Sequence, residues 1–569
     1  MTVSPETMEI VLPAATLWVR VAASQPWVEV ASGVLGEEAE IIDRFPGRDL
    51  EGVRYEPPFD YIPGSEYGPL GHSVLLADFV TASDGTGLVH TAIAFGEDDY
   101  RLGQQYDLTM VNPVKLDGTY DERIGEYAGR NVKDADRDLV EDLRGRGRLL
   151  RAEDYEHSYP HCWRCGTPLL YYAKPSWYIA TSKVRERMLA ANEQVAWHPG
   201  HIKEGRFGDW LRGNVDWALS RERYWGTPLP VWRCAGGHIH CVGSFDELEE
   251  LSSVRIEDPH RPYVDEVGFP CPQCAEPMTR VPEVIDVWFD AGCMPFAQWG
   301  YPHLPGSEEQ FARRFPADFI SEAIDQTRGW FNALLVISTI VHGREKADYP
   351  HPFKSCICLG HIMGEDGLKL SKRLKNYQEP RLLFDKYSAD ALRWSFFAKN
   401  PPTSTGRLSE RNVEEAQREL LIRWYNVYSF FVIYANLDGF DPSTAPAAFL
   451  ERMGLDPANA SGDGGAAPYR PRDERAELDR WILHELDRTI LDVREAMEAY
   501  GCNPAARSIQ AFVESLSNWY VRRSREQFWA SGWTAEKADA YWTLYECLLT
   551  LAQLAAPFVP FFSEVTWRN

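Results

Sequence analysis

Apolar residues alternate over short distances through 28–100, broken by turn-forming glycines such as Gly85 and Gly87 around Thr86, and this period predicts short strands. Residues 127–153 switch to helical spacing among many charges, including the run Arg144, Arg146, Arg148 and Arg151, so a surface helix is expected to close this β-rich unit. Between 162 and 278, frequent Gly and Pro around the cysteine pairs break the pattern, which suits a loop-rich connector rather than a conventional core. The apolar stretch 317–320, the helical pattern 325–340 and the strand-like 355–358 then alternate as a parallel α/β unit does. Residues 438–474 carry Gly, Ala, Pro and Asp with no period and are expected to form a long loop. Amphipathic spacing over 478–500, 505–529 and 537–554 predicts an antiparallel helical bundle. There is no internal repeat.

A chain of 569 residues exceeds one hydrophobic core and implies roughly three to five units. With 44% hydrophobic residues and 20 Trp it has ample core material. The formal charge of -25 excludes a broad basic coat for nucleic acid, so any RNA contact must be local. The run 548–562 is interrupted by Gln553, Pro557 and Pro560 and does not read as a membrane span. Residues 1–9 lack the basic start and apolar run of a secretory signal, so a cytoplasmic protein is expected.

Eleven cysteines are sparse for a disulfide scaffold, and six fall in or near paired clusters. Cys162 and Cys165 form one CxxC, Cys271 and Cys274 another, and Cys234 is followed by His238, His240 and Cys241. Tetrahedral zinc needs four thiolate or imidazole ligands. The best set is Cys234, His238, Cys271 and Cys274, with His240 and Cys241 open as alternatives to His238.

Two further clusters carry chemistry. Lys369, Ser371 and Lys372 lie in KLSKR after the turn Glu365, Asp366, Gly367; two lysines three apart can meet one polyphosphate and stabilise charge growing on a leaving pyrophosphate. On its own this is more simply a solvated basic turn. Glu322, Asp325 and Gln326, in SEAIDQTRGWF, fall where a strand hands over to a helix, the end at which open α/β sheets bind ligands. Helix capping by Ser321 or Asp325 explains one residue of that cluster but not the group.

With these motifs the chain resembles the class I isoleucyl-tRNA synthetases. KLSKR resembles that family's KMSKS loop and SEAIDQTRGWF its adenylate-binding strand end; NVDWALSRERYWGTPLP and VIDVWFDAGCMPF also match, in the family's order. The resemblance runs from about residue 36 to the C-terminus. It implies a multidomain α/β protein: a partial editing domain over 1–153, a connective region with a zinc knuckle over 154–283, the second half of a Rossmann-like catalytic domain over 284–400, stem helices and linker over 401–474, and an incomplete helical anticodon-binding domain over 475–569.

By that resemblance Lys369, Ser371 and Lys372 are catalytic, and Glu322, Asp325, Gln326 and Trp330 hold the adenylate. GTGLVHTAIAFGEDDY resembles the proofreading pocket, where His90 and Asp99 would serve hydrolysis of valine esterified to tRNA. Such editing is needed because one methylene in an apolar pocket is worth only roughly 1–3 kcal/mol. Arg522, Arg523 and Arg525, in a helix resembling the anticodon-binding bundle, would contact tRNA phosphates while Trp519, Tyr520 and Trp529 pack inward; a core helix with a solvated basic face is the plainer alternative. The implied cofactors are ATP, Mg2+ and Zn2+, and the partners are isoleucine and tRNA(Ile), for a monomer.

Several features depart from the family pattern. No HIGH-like tetrapeptide is present, nor is the Thr-rich wall of the editing pocket, and the second CxxC that would complete Cys162 and Cys165 is missing, so that half-site is expected to be empty. Ile93, Ala291, Ala323 and Arg373 replace the usual Pro, Ser, Gly and Ser. The expectation is therefore a piece of an isoleucine–tRNA ligase that does not form adenylate alone. The alternatives are a tRNA-binding fragment without catalysis and a stand-alone deacylase of misacylated tRNA.

Overall fold

The computed structural model describes residues 2–3, 8–11, 41–45, 47–80, 88–147, 149, 152, 158–162, 165–342, 351–370, 375–459 and 467–569. It comprises two compact units, Met1–Ser176 and Trp177–Asn569.

In the first unit the described strands are short: Leu75–Leu76 and Leu88–Val89 flank Thr2–Val3, and Met8–Val11 pairs with Ile41–Phe45. The rest is mainly turns and helix, so the described part is less strand-rich than the alternation suggests. Strand Leu88–Val89 gives way to turns that end at Gly96. Helix Glu97–Gln105 begins there because Glu97, Asp98 and Asp99 place three carboxylates against the unpaired amides of its first turn. The surface helix is shorter than expected, Val132–Gly145, and is capped by Asn131, whose side chain accepts from the Lys133 amide.

The second unit is organised around a three-stranded parallel sheet in the order Ala317–Ala323, Phe353–Leu359, Ala196–His198. The first two strands and the intervening helix Trp330–His342 follow the sequence expectation. The third strand corrects it, because it comes from the stretch read as loop-rich connector. Met188, Ala191, Trp197, Ile202, Phe207 and Leu211 join Phe331, Leu335 and Phe353 in one core. Trp197 explains the fit: its ring packs 4.8 Å from Phe207 and 5.8 Å from Phe331, while Nε1 donates to Asn192 Oδ1 at 2.8 Å.

The remainder of that stretch forms a small module of its own. Four antiparallel strands, in the order Ile239–Cys241, Val231–Cys234, Pro277–Arg280 and Phe269–Pro270, carry helix Phe245–Ser252. Trp232, Val264, Val267, Phe269 and Met278 supply its core. Trp232 is fully buried and satisfies its indole N–H on the Val267 carbonyl at 2.7 Å.

C-terminal to the sheet, Glu477–Glu498, Cys502–Ser515 with its continuation to Trp529, and Ala535–Ala555 form the predicted bundle. Arg423–Asp438 and Ala389–Ala398 pack into the same core, which includes Trp394, Trp424, Tyr520 and Tyr541. The region 438–474 is not a featureless loop. Helix Ala447–Arg452 places Phe449 and Leu450 against Trp542 and Leu549. Its charges are anchored too: the fully buried Glu546 accepts from Arg452 NH2 at 2.7 Å and Arg472 Nε at 2.8 Å. Short apolar pieces between glycines conceal this order from any periodicity test. Among the described residues no helix is long and apolar enough to cross a membrane.

Candidate functional site

Strand Ala317–Ala323 and strand Phe353–Leu359 run parallel, with Glu322 opposite Cys358 and Ala323 opposite Leu359. The segments that follow them, 324–330 and 360–370, therefore leave the sheet at the same, carboxyl end. This is where a parallel sheet presents polar groups to a ligand. Glu322 and Asp325 are exposed there, and Gln326 and Trp330 are half-buried.

A short 3-10 turn, Ile324–Arg328, fixes the geometry. Gln326 Oε1 accepts from the Trp330 amide at 2.9 Å, capping the helix that follows, and its Nε2 donates to Asp325 Oδ2 at 3.1 Å. Thr327 is buried, donating to the Ile324 carbonyl at 2.7 Å and accepting from Arg206 Nε at 3.0 Å. Gly329 must lack a side chain: a Cβ there would come within 2.8 Å of Gln326 Oε1 and 3.2 Å of the Trp288 ring. Trp288 was not among the residues expected at the site, although it lies in the motif VIDVWFDAGCMPF. It is 40% exposed, unusual for Trp, and heads the helix Val287–Ala297, whose cap Asp286 also accepts from Arg221 NH2 at 2.6 Å. Trp330 Nε1 donates to the Ala291 carbonyl at 3.4 Å, so Trp288, Gly329 and Trp330 form one apolar wall beside the polar turn. Ala323 has φ -73°, a value open to any residue, so the replacement of Gly costs the backbone nothing.

Of the lysine loop, Lys369 is described, while Ser371, Lys372 and Arg373 lie outside the described residues. The base of the loop is closed by a bridge between Met363 and Lys369 and by the Gly364 amide donating to Leu368 O at 2.9 Å. Asp366 accepts from the Leu368 amide at 2.9 Å, and Asn376, on the returning segment, reaches both Asp366 and the Lys369 carbonyl.

The cysteine site converges. One ligand atom from each of Cys234, His238, Cys271 and Cys274 lies within 4.8 Å of the other three. Cys234 Sγ is 3.7 Å from Cys274 Sγ, close to the roughly 3.8 Å that two thiolates adopt on tetrahedral zinc with Zn–S of about 2.3 Å. His238 Nδ1 stands 3.2 Å from Cys274 Sγ, 3.5 Å from Cys234 Sγ and 3.6 Å from Cys271 Sγ. Burial pushes the Cys271 thiol up, but amides of Gln273 and Cys274 and the neighbouring thiols outweigh it and bring it down to about 7. His240 instead pairs with Glu247 at 3.0 Å, and Cys241 is exposed. Cys162 and Cys165 stand apart from any such group among the described residues; Cys165 Sγ is 3.0 Å from Thr167 Oγ1.

In the first unit His90 borders a cavity of ≈ 230 Å³ with Tyr55, Tyr67, His72, Thr91 and Ile93. Desolvation lowers the His90 pKa, opposed by the negative charge of Asp99. Burial raises the Asp99 carboxyl, opposed by the Ala92 amide and by His90. The two groups thus feel each other's charge.

Arg522, Arg523 and Arg525 are all exposed on the bundle. The aromatic expectation needs correction. Only Tyr520 packs inward, donating to Asp479 Oδ1 at 2.5 Å; Trp519 and Trp529 are 53% and 58% exposed. Arg523 lies 4.6 Å over the Trp519 ring, and Trp529 Nε1 donates to Tyr434 Oη at 2.7 Å.

Residues 38–409 match the family model of class I tRNA synthetases (I, L, M and V), and residues 479–569 match the anticodon-binding domain of tRNA ligases. The chain belongs to the class I tRNA synthetases. It is 48% identical to an isoleucine–tRNA ligase of Thermobifida fusca, over 92% of this chain and 48% of that protein. It is 46% identical to one of Streptomyces avermitilis, over 97% of this chain and 49% of that protein, and 45% identical to one of Deinococcus radiodurans, over 97% and 50%. The chain thus spans about half the length of the relatives it matches.

Proposed function

We propose that this chain carries the adenylate-stabilising half of an isoleucine–tRNA ligase, which joins isoleucine to tRNA(Ile) through an isoleucyl-adenylate formed from ATP. The observation that carries the reading is the shared sheet end: the turn with Glu322, Asp325 and Gln326 and the loop with Lys369 issue side by side from two paired parallel strands. Glu322 and Asp325 are exposed acceptors for ribose hydroxyls or for the substrate ammonium. Trp288 and Trp330 offer apolar surface for a branched side chain. Lys369 and Lys372 supply positive charge for the pyrophosphate as it leaves, with Ser371 between them and Mg2+ bound through the phosphates.

The supporting roles follow from the other sites. Cys234, His238, Cys271 and Cys274 would hold one zinc ion that staples the module over 231–280, a structural rather than catalytic use, since the four donors leave no open position. His90 borders a cavity suited to hydrolysing an ester, and Asp99, whose charge His90 feels, would hold an ammonium while water attacks. Arg522, Arg523 and Arg525 would contact tRNA phosphates. The proposed domains are the partial editing domain up to 153, connector to 283, catalytic half to 400, stem to 474 and anticodon-binding bundle to 569, with strand Ala196–His198 and the core residues around it counted with the catalytic half rather than the connector.

The test is equilibrium binding of non-hydrolysable isoleucyl-, valyl- and leucyl-adenylate analogues. The reading predicts saturable binding with isoleucyl tightest and loss of binding in Asp325→Ala. Equal binding of all three, or binding indifferent to Asp325, rejects it.

A further inference from the structure

Trp225 is 70% exposed and Tyr224 is 61% exposed, side by side on the loop that follows strand Ser220–Arg221. Large rings left in water at adjacent positions need a reason, because burial of either would favour folding. The loop is not slack. On one side Arg261 NH1 donates to the Arg223 carbonyl at 3.3 Å, and on the other the Ile285 amide donates to Thr227 O at 2.7 Å. Gly226 presses on Val284, where a Cβ would come within 3.1 Å. The rings are therefore held outward rather than merely uncovered.

Their neighbours complete a flat surface. The His260 ring lies parallel to Trp225, with centroids 4.9 Å apart and an interplanar angle of 4°, and its Nδ1 is 2.7 Å from Asp258 Oδ1. Arg261 lies 5.1 Å over the Tyr224 ring while its Nε donates to Asp265 Oδ2 at 2.7 Å. His260 occupies one face of Trp225 and leaves the other for a planar guest. Asp258 is already paired with His260 and Asp265 with Arg261, so the surface favours a flat ring over a bare phosphate.

We propose that Trp225 and His260, flanked by Tyr224 and Arg261, form a stacking platform for unpaired nucleotides of an RNA. Aromatic rings with an arginine alongside are the sequence-tolerant means of holding single-stranded bases, each stack contributing affinity because every base has a π face. The proposal rests on the tRNA reading above and adds a second contact region, in the catalytic half, far along the chain from the arginine helix of the bundle.

The probe is a single-stranded oligoribonucleotide containing 2-aminopurine, with a duplex of the same length and whole tRNA as companions, titrated with the full chain. Wild type quenches the 2-aminopurine fluorescence. Trp225→Ala abolishes the quenching and weakens oligonucleotide binding by about 5- to 150-fold, the range expected for loss of one stack, whereas Trp225→Phe retains most of it. An unchanged far-ultraviolet dichroism spectrum shows that the exposed substitution leaves the fold intact. Whole tRNA bound normally, with oligonucleotide quenching equal in wild type and Trp225→Ala, overturns the platform and leaves the tRNA reading standing. Binding of neither tRNA nor oligonucleotide rejects both. Self-association of wild type that Trp225→Ala abolishes assigns the rings to a protein contact and overturns the proposal.

Discussion

The side-chain amide of Asn376 donates to both carboxylate oxygens of Asp366, at 3.3 and 3.1 Å, and to the Lys369 carbonyl at 3.3 Å. One side chain thus ties the outgoing and returning arms of the lysine loop. Exposed hydrogen bonds contribute little to global stability, about 0.5–1.5 kcal/mol each, so their effect is local. Asn376→Ala should speed hydrogen exchange of the Gly364 and Leu368 amides by roughly tenfold, with no shift in the cooperative melting transition. Unchanged exchange would show that the loop holds itself.

Lys375, the next residue back, has φ +50°. A side chain in the left-handed region costs roughly 1–2 kcal/mol, of which glycine's extra unfolded-state entropy returns part. Lys375→Gly should therefore stabilise the chain by about 0.5 kcal/mol, read from the denaturant midpoint at constant slope.

Cys271 anchors the metal set from within the module core. Purified chain should carry stoichiometric zinc by elemental analysis, and Cys271→Ser should lose it and become open to proteolysis within 231–280, whereas Cys241→Ser should change neither. Full zinc content in Cys271→Ser would reject the four-ligand assignment.

The sequence exposed the parts with apolar runs or a sustained period: strand Ala317–Ala323, helix Trp330–His342, buried at successive positions from Ala333 to Thr339, and bundle helices such as Glu477–Glu498, which buries Ile482, Leu483, Leu486 and Val493. Strand Ala196–His198 escaped because three residues cannot show alternation, and its pairing with Ser355–Ile357 spans a long insertion. Phe449 and Leu450 escaped because their helix, Ala447–Arg452, is only six residues long and lies between Pro446 and Gly454, too short to show a period. Of the site, the polar turn and the four metal ligands were legible as motifs; Trp288 was not singled out, since its exposure comes from its place at the head of a helix against Gly329. Trp519 and Trp529 misled for the reverse reason, as composition treats Trp as core.

Asp479 is 1% exposed, and burial raises its carboxyl to about 6, against the opposing hydrogen bond from Tyr520. Its folded pKa thus exceeds the unfolded value of 3.8. Between about pH 4 and 6 the folded state binds more protons than the unfolded state, so stability falls as pH rises through that window and stays low above it. The effect is roughly 3 kcal/mol from a shift of about two units. Asp479→Asn should flatten this dependence in denaturant unfolding from pH 4 to 7; an identical slope in wild type and variant would show that the group stays ionised.

Arg523 stacks on Trp519 with its guanidinium free to meet a phosphate. Arg523→Ala should weaken tRNA binding and reduce the salt slope of log affinity by about 1. A fall in affinity with an unchanged slope would mean that the arginine only supports the ring.

The central claim is that the polar turn after one strand and the lysine loop after its neighbour act on one isoleucyl-adenylate. Isoleucine-dependent exchange of pyrophosphate into ATP, measured on the full product of the gene, addresses it directly. The account predicts exchange with isoleucine well above valine and leucine, falling at least about a hundredfold in Lys372→Ala, the scale of one electrostatic contact to a transition state. No isoleucine-dependent exchange, or exchange unaffected by Lys372→Ala, would contradict it.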